Sequence, residues 1–185
     1  TLTPDTTTAG TTQYRCTVTL NGAKSQTGDP VSFTVSPTGV TISGTATSFG
    51  SATDNVTVQL IASGESTAAY ETVVKGNSAN YSIEGVLPGT YTMKVMKNNH
   101  VTREYTVTVG AENVTQNVKI HLKGDINGDG RVNTSDVGKA NSHAKGTSTL
   151  TGYDFACADV NGDGRVNTSD VGKINSHAKG TNKLW

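Results

Sequence analysis

The chain is 185 residues long, with 33% hydrophobic and 5% aromatic residues. Apolar side chains are too sparse for one large core and too dispersed for a span of about 20 apolar residues, so two or three small modules are expected and a helical membrane protein is excluded. Fifteen Lys plus Arg balance fifteen Asp plus Glu, and without a net field to gather phosphates or anionic lipid, nucleic-acid binding is disfavoured.

Residues 1–37 open on TLTPDTTTAG, a polar run without the charged start and apolar stretch of a signal peptide, which reads as an internal cut from a longer polypeptide. Two strand-like runs follow, QYRCTVTLNG and PVSFTVSP. Tyr14, two residues before Cys16, resembles the corner that opens strand F of an immunoglobulin-like domain, so these runs resemble the last two strands of one. The other half of such a domain is missing. The segment is therefore either the remnant of an upstream domain or a strand pair docked on its neighbour as part of a binding surface; two strands alone are marginal. The second cysteine, Cys157, lies about 140 residues further on, beside an acidic loop. Two thiols make neither a disulfide framework nor a zinc site, and sequence does not establish that they pair.

Residues 38–122 are rich in Thr, Val, Ser and Gly. Val56, Val58 and Leu60 alternate with polar residues, as do Tyr91, Met93 and Val95, the period of half-buried strands. Similar runs at Val40 to Ile42, Tyr81 to Ile83, Tyr105 to Val109 and Val118 to Leu122 are separated by Gly-Asn, Pro-Gly and Asn-Asn turn signals. About seven short strands in this span predict a β-sandwich. NYSIEGVLPGTYTMKV, with Gly85, Pro88, Gly89 and Tyr91, followed by a final strand NVTQNVKIHL, resembles the small transthyretin-like sandwiches of the carboxypeptidase regulatory and Cna-B type.

After Lys123 the texture changes to acidic loops and short helices. DINGDGRVNTSDVGKANSHAKGT at Asp125 to Thr147 returns as DVNGDGRVNTSDVGKINSHAKGT at Asp159 to Thr181, an offset of 34 residues. Of 23 positions only two differ, Ile126 against Val160 and Ala140 against Ile174. Each copy opens with D-x-N-x-D-G-x-x-N-x-x-D, which is calcium spacing: oxygen-bearing side chains at positions 1, 3, 5, 9 and 12, with Gly at 6 for the tight turn. The first loop offers Asp125, Asn127, Asp129, the carbonyl of Arg131, Asn133 directly or through water, and a bidentate Asp136. The second offers Asp159, Asn161, Asp163, the Arg165 carbonyl, Asn167 and Asp170. Clustered carboxylates repel one another, so two Ca²⁺ ions are expected to couple binding to folding. Zinc would want N or S ligands, and Mg²⁺ a smaller shell with more water.

A short helix is expected after each loop, with Val137, Ala140 and Ala144, or Val171, Ile174 and Ala178, on one narrow apolar face, and with Gly146 and Gly180 as stops. Neither loop has a recognisable amphipathic helix leading into it. This combination resembles the dockerin family over residues 123–185, and a dockerin joined without a linker to a sandwich resembles the X-module and dockerin pair at scaffoldin C-termini. The resemblance implies a multi-domain chain: an all-β X-module-like sandwich, then a small all-α dockerin of two loop–helix repeats. It implies an extracellular or bacterial cell-surface module that binds the cohesin of a scaffoldin or cell-surface anchoring protein and anchors its parent in a polysaccharide-degrading cellulosome. The partner-facing residues carried over are Thr134, Ser135, Gly138, Asn141, Ser142, Lys145 and Gly146, and in the second copy Thr168, Ser169, Gly172, Asn175, Ser176, Lys179 and Gly180. Identical residues at all seven positions imply that a two-fold rotation would offer a partner the same chemistry twice.

His143 and His177 occupy equivalent helix positions and read as packing residues rather than metal ligands. Trp185 reads either as a clasp on the start of the module or as a frayed end. Asn133 and Asn167 sit in N-x-S sequons but are read as loop residues. The chain offers no Gly-rich phosphate loop, no GxSxG elbow and no Cys and His constellation, so no catalysis is expected. The alternative to a cohesin binder is a calcium-rigidified adhesion or spacer module with no such partner.

Overall fold

A computed structural model describes residues 10–19, 21–22 and 24–185. The opening run TLTPDTTTAG lies outside them except for Gly10. Contacts divide the chain into two compact units, Thr1–Gly39 and Val40–Trp185.

In the first unit, β1 (Gly10–Tyr14) pairs antiparallel with β4 (Val31–Val35), and β2 (Thr17–Val18) with β3 (Gln26–Thr27). Of the two predicted runs, Gln13 and Tyr14 face Ser32 and Val31, whereas Thr17 and Val18 pair with Thr27 and Gln26. Threonine ladders tie the ribbon, Thr11 to Thr34 at 2.9 Å and Thr17 to Thr27 at 3.1 Å, and none of its described residues is buried. Cys16 is an exposed free thiol.

The second unit begins with two packed sheets. One has the order β10 (Arg103–Val109), β9 (Gly89–Lys97), β6 (Asn55–Ala62), β7 (Ala68–Lys75), all antiparallel. In the other, β5 (Val40–Thr47) pairs with β8 (Ser78–Val86) on one side and, in parallel, with β11 (Val114–Thr115) and β12 (Val118–Lys119) on the other. Alternation places Ile42, Val56, Val58, Leu60, Met93 and Val95 wholly inside, each worth roughly 1.5–3 kcal/mol of burial. Tyr91 explains the turn signature: its hydroxyl donates back to the Leu87 carbonyl at 2.8 Å while Tyr70 accepts the Leu87 N–H at 3.2 Å.

The run NVTQNVKIHL is not one regular strand. It touches β5 in two pieces because Asn113 and Asn117 replace backbone acceptors: their Oδ1 atoms take the N–H groups of Thr41 and Thr45 at 2.8 and 2.9 Å. The backbone of Gln116 then comes so close to Gly44 that a Cβ there would collide with it.

Beyond β12 the backbone stays bonded to the sandwich, with Val101 N–H donating to His121 O at 2.9 Å and Lys123 N–H to Asn99 O at 3.0 Å. Three helices follow: α1 (Thr134–Ala144), α2 (Gly152–Ala158) and α3 (Thr168–Ala178). The seven-residue α2, which the sequence did not announce, leads directly into the second loop, beside the two expected loop–helix repeats. α1 and α3 pack on each other around Ile126, Ala140, Ala158, Val166 and Ile174. Both end as predicted at glycines with positive φ, Gly146 (71°) and Gly180 (70°). In each, the glycine N–H bonds the carbonyl two residues before the cap, and the next residue bonds the one before that, Gly146 to His143 and Thr147 to Ser142 in the first.

Candidate functional site

Each acidic loop is wound around its first aspartate. Asp125 Oδ1 accepts the N–H groups of Gly128 (2.8 Å) and Asp129 (3.2 Å), and its Oδ2 accepts that of Gly130 (2.9 Å). Asp159 does the same for Gly162, Asp163 and Gly164 at 2.8, 3.2 and 2.9 Å. The glycines at these turns have φ of 69° and 87° in the first loop and 74° and 80° in the second, backbone that other residues rarely adopt. The last aspartate ties loop to helix: Asp136 Oδ2 accepts the Asn133 N–H at 2.9 Å and its Oδ1 that of Ile126 at 2.9 Å; Asp170 Oδ2 accepts the Asn167 N–H at 3.1 Å.

Asn133 and Asn167 turn out to be helix N-caps. Their Oδ1 atoms accept the N–H groups of Ser135 and Ser169, both at 2.7 Å, and with Asp136 and Asp170 they complete reciprocal capping boxes. The loop and the helix after it therefore share residues and form as one unit.

In the second loop the carboxylates converge. Oxygens of Asp159, Asp163 and Asp170 lie within 4.8 Å of one another. Asp125, Asp136 and Asp170 are fully buried. Burial pushes the Asp125 carboxyl above its ordinary range, the N–H of Gly130 pulls it back, and the charge of Asp136 pushes it up again. Asp129 lies at the surface, where the Asn127 amide, donating at 3.0 Å, holds it below its usual value. Oxygen-only donors on clustered carboxylates fit a hard divalent cation, and their chemistry suits calcium better than zinc.

The residues carried over as partner-facing lie on the outside of the two repeats. Thr134, Ser135, Gly138, Lys145 and Gly146 are exposed, Asn141 and Ser142 half-buried, and the second copy repeats this at Thr168, Ser169, Gly172, Lys179, Gly180, Asn175 and Ser176. A Cβ on Gly138 or Gly172 would meet nothing within 4 Å. The histidines are latches: His143 Nδ1 accepts the Leu150 N–H at 2.9 Å and His177 Nδ1 that of Leu184 at 3.0 Å. Trp185 packs on the His177 ring at 4.5 Å, while Leu184 is the residue that reaches Gly124 at the start of the module.

Residues that sequence reasoning missed join sandwich to loops. Tyr153 on α2 donates its hydroxyl to Val101 O at 2.6 Å and accepts the His121 N–H at 2.9 Å, and the Arg103 guanidinium lies 4.4 Å from the Tyr153 ring centre. Phe49 packs on Gly130 and His121 on Gly128, so a side chain at either glycine would collide with an aromatic ring. Lys97, buried, holds the corner carrying Phe49 by donating to Ser48 Oγ (3.1 Å), Phe49 O (3.0 Å) and Asn77 Oδ1 (2.8 Å). Cys157 is a free buried thiol with its Sγ 3.8 Å from His121 Nδ1, and burial, reinforced by the charges of Asp154 and Asp125, pushes its pKa up to about 12.

Two self-capped acidic loops, each feeding a helix with a small polar outer face, define a duplicated loop–helix module that follows a β-sandwich. Residues 123–177 match the family model of the dockerin type I domain, and the C-terminal third of the chain is a dockerin domain. Residues 37–124 match the second beta sandwich domain of BOS complex subunit NOMO1-like proteins. No curated protein matches the chain. Among solved structures, it is similar to two interface mutants of a type II cohesin–X-dockerin complex from Acetivibrio cellulolyticus. The N-terminal interface mutant is 25% identical and the C-terminal one 24%; each match covers 75% of this chain and 94% of the other, with a TM-score of 0.37. Dockerin domains are interaction modules rather than catalysts, and they generally bind calcium. Among the described residues, no helix is long and apolar enough to cross a membrane.

Proposed function

We propose that this chain is a calcium-dependent docking module that binds a cohesin outside the cell and anchors its parent protein in a cellulosome-type complex. The observation that carries the reading is the duplication: two loops of the same hydrogen-bonded design, each capping a helix that offers the same seven residues to solvent. One Ca²⁺ per loop is held by Asp125, Asn127, Asp129, the Arg131 carbonyl and Asp136, and by Asp159, Asn161, Asp163, the Arg165 carbonyl and Asp170. Asn133 and Asn167, committed to capping, act through water.

The ions offset carboxylate repulsion and so fix the angle of α1 and α3, the helices whose outer faces meet the partner. Calorimetric titration against cohesins of several types, with and without a chelator, tests this. Binding that disappears with the chelator supports the reading. Ions bound in both loops with no affinity for any cohesin leaves a rigid spacer instead.

A further inference from the structure

The two loops are nearly the same peptide in different surroundings. In the first, Asp125 and Gly128 are buried, Phe49 of the sandwich packs on Gly130, and His121 packs on Gly128. Its entry is pinned by the Gly124 N–H donating to Cys157 O at 2.9 Å and the Asp125 N–H to Leu122 O at 3.0 Å. In the second, Asp159 is half-exposed, Gly162 and Gly164 are exposed, and a Cβ at either glycine would meet nothing within 4 Å, while Asp163 and Asp170 are as exposed and as buried as Asp129 and Asp136.

We infer that the sandwich makes the two sites unequal: the first loop fills with Ca²⁺ first and empties last, with Phe49 and His121 as positioning residues, and the second loop is the one that follows changes in free Ca²⁺. The inference rests on the proposed reading of both loops as calcium sites. Closing a loop around an ion costs the conformational freedom of its backbone. In the first loop part of that freedom is already removed by the rings of His121 and Phe49 packed on Gly128 and Gly130, whereas the second, entered from α2 through the Asp159 N–H to Phe155 O bond at 2.9 Å, has no side chain on its glycines. A buried carboxylate such as Asp125 also gains more from a cation than a half-exposed one, because its anionic form has lost its water. Convergence alone points the other way, since the second trio is the one drawn within 4.8 Å. The order of filling therefore decides between preorganisation by the sandwich and the intrinsic shape of the loop.

Gly130 and Gly164 report each site separately, because their N–H groups donate to Asp125 Oδ2 and Asp159 Oδ2, both at 2.9 Å. The full chain, stripped by chelator, is titrated with CaCl₂ while both amide resonances are followed by NMR. Gly130 moves over the first equivalent and Gly164 over the second, with affinities separated by about tenfold. Phe49→Ala brings the Gly130 transition toward that of Gly164 and leaves Gly164 in place. Gly164 moving first, both moving together in the unaltered chain, or a separation untouched by Phe49→Ala overturns the inference while leaving both loops as calcium sites. Neither amide moving removes the calcium reading itself, and the inference with it. Should Phe49→Ala fail to fold, the order in the unaltered chain decides alone.

Discussion

His177 Nδ1 accepts the backbone N–H of Leu184 at 3.0 Å, and Leu184 lies against Gly124, sixty positions earlier in the chain. One imidazole thus closes the C-terminal module into a loop. His177→Ala is expected to cost about 1 kcal/mol, the net worth of such a bond, and to raise amide exchange at Leu184 selectively. His143→Ala is expected to cost about as much, because each ring also meets one aromatic neighbour, Phe155 at 5.5 Å for His143 and Trp185 at 4.5 Å for His177. Exchange rates unchanged at Leu184 would refute the latch.

The covered and open loops respond differently to the same substitution. Gly164→Ala places a side chain in left-handed backbone with free space around it, a cost of about 1–2 kcal/mol. Gly130→Ala carries that cost and must also displace the Phe49 ring, adding roughly 1–3 kcal/mol. Urea denaturation at saturating Ca²⁺ compares the two; equal losses would mean that the ring gives way freely.

The repeats differ inside their helices at one pair, Ala140 and Ile174, both wholly buried between α1 and α3. A small residue in one helix makes room for a large one in the other. Ile174→Ala is expected to cost about 2–5 kcal/mol by leaving a cavity, and Ala140→Ile about 1–3 kcal/mol by overpacking. The double exchange conserves volume and should recover part of the sum, which a double-mutant cycle measures.

Acid should weaken the sandwich before it reaches the carboxylates. His100 takes the Phe49 N–H at Nε2 (3.1 Å) and donates from Nδ1 to Asn98 O (2.7 Å), so its neutral form is the one built in. Burial lowers its pKa from 6.5, the Asn98 carbonyl pulling it partly back, and Lys97 and Asp54 act in opposite senses. A lowered folded value means the unfolded chain binds the proton first. Stability is therefore full above the ordinary 6.5 and falls as pH drops from there through the folded value. Burial lowers His121 and His177 as well, so they add to the same trend. Melting curves between pH 7 and 5 at saturating Ca²⁺ should decline, and more gently in His100→Gln.

What could be read in the sequence was what local chemistry specifies. Asp125, Asn127, Asp129 and Asp136 announce their loop because a ring of oxygens within one short peptide needs that spacing and no other part of the chain. The core strands were legible through Val56, Val58 and Leu60, one face wet and one dry. α2 was not, because seven residues complete barely two turns and Thr151 gives no side-chain cap. β7 was missed because it is a half-exposed edge with weak alternation, Glu71 and Lys75 among its residues. Phe49, His121 and Tyr153 carry no local signal at all: their roles arise only when distant segments meet. The capping by Asn133 and Asn167 was present in the letters as N-x-x-D but hidden behind the metal reading of the same residues.

The parallel pairing of β5 with β11 and β12 has a mechanical consequence. Strand β5 starts the second unit at Val40 and β12 ends near Lys119, on opposite margins of the same seam. Tension drawn between those ends slides one strand lengthwise past the other. The Thr41 to Asn113, Thr45 to Asn117, Gln116 to Ser43 and Ile120 to Thr47 bonds must then rupture together rather than unzip in turn. Anchored through its last module and hauled from its first, this polypeptide would resist like a seat-belt buckle, holding up to one abrupt yield.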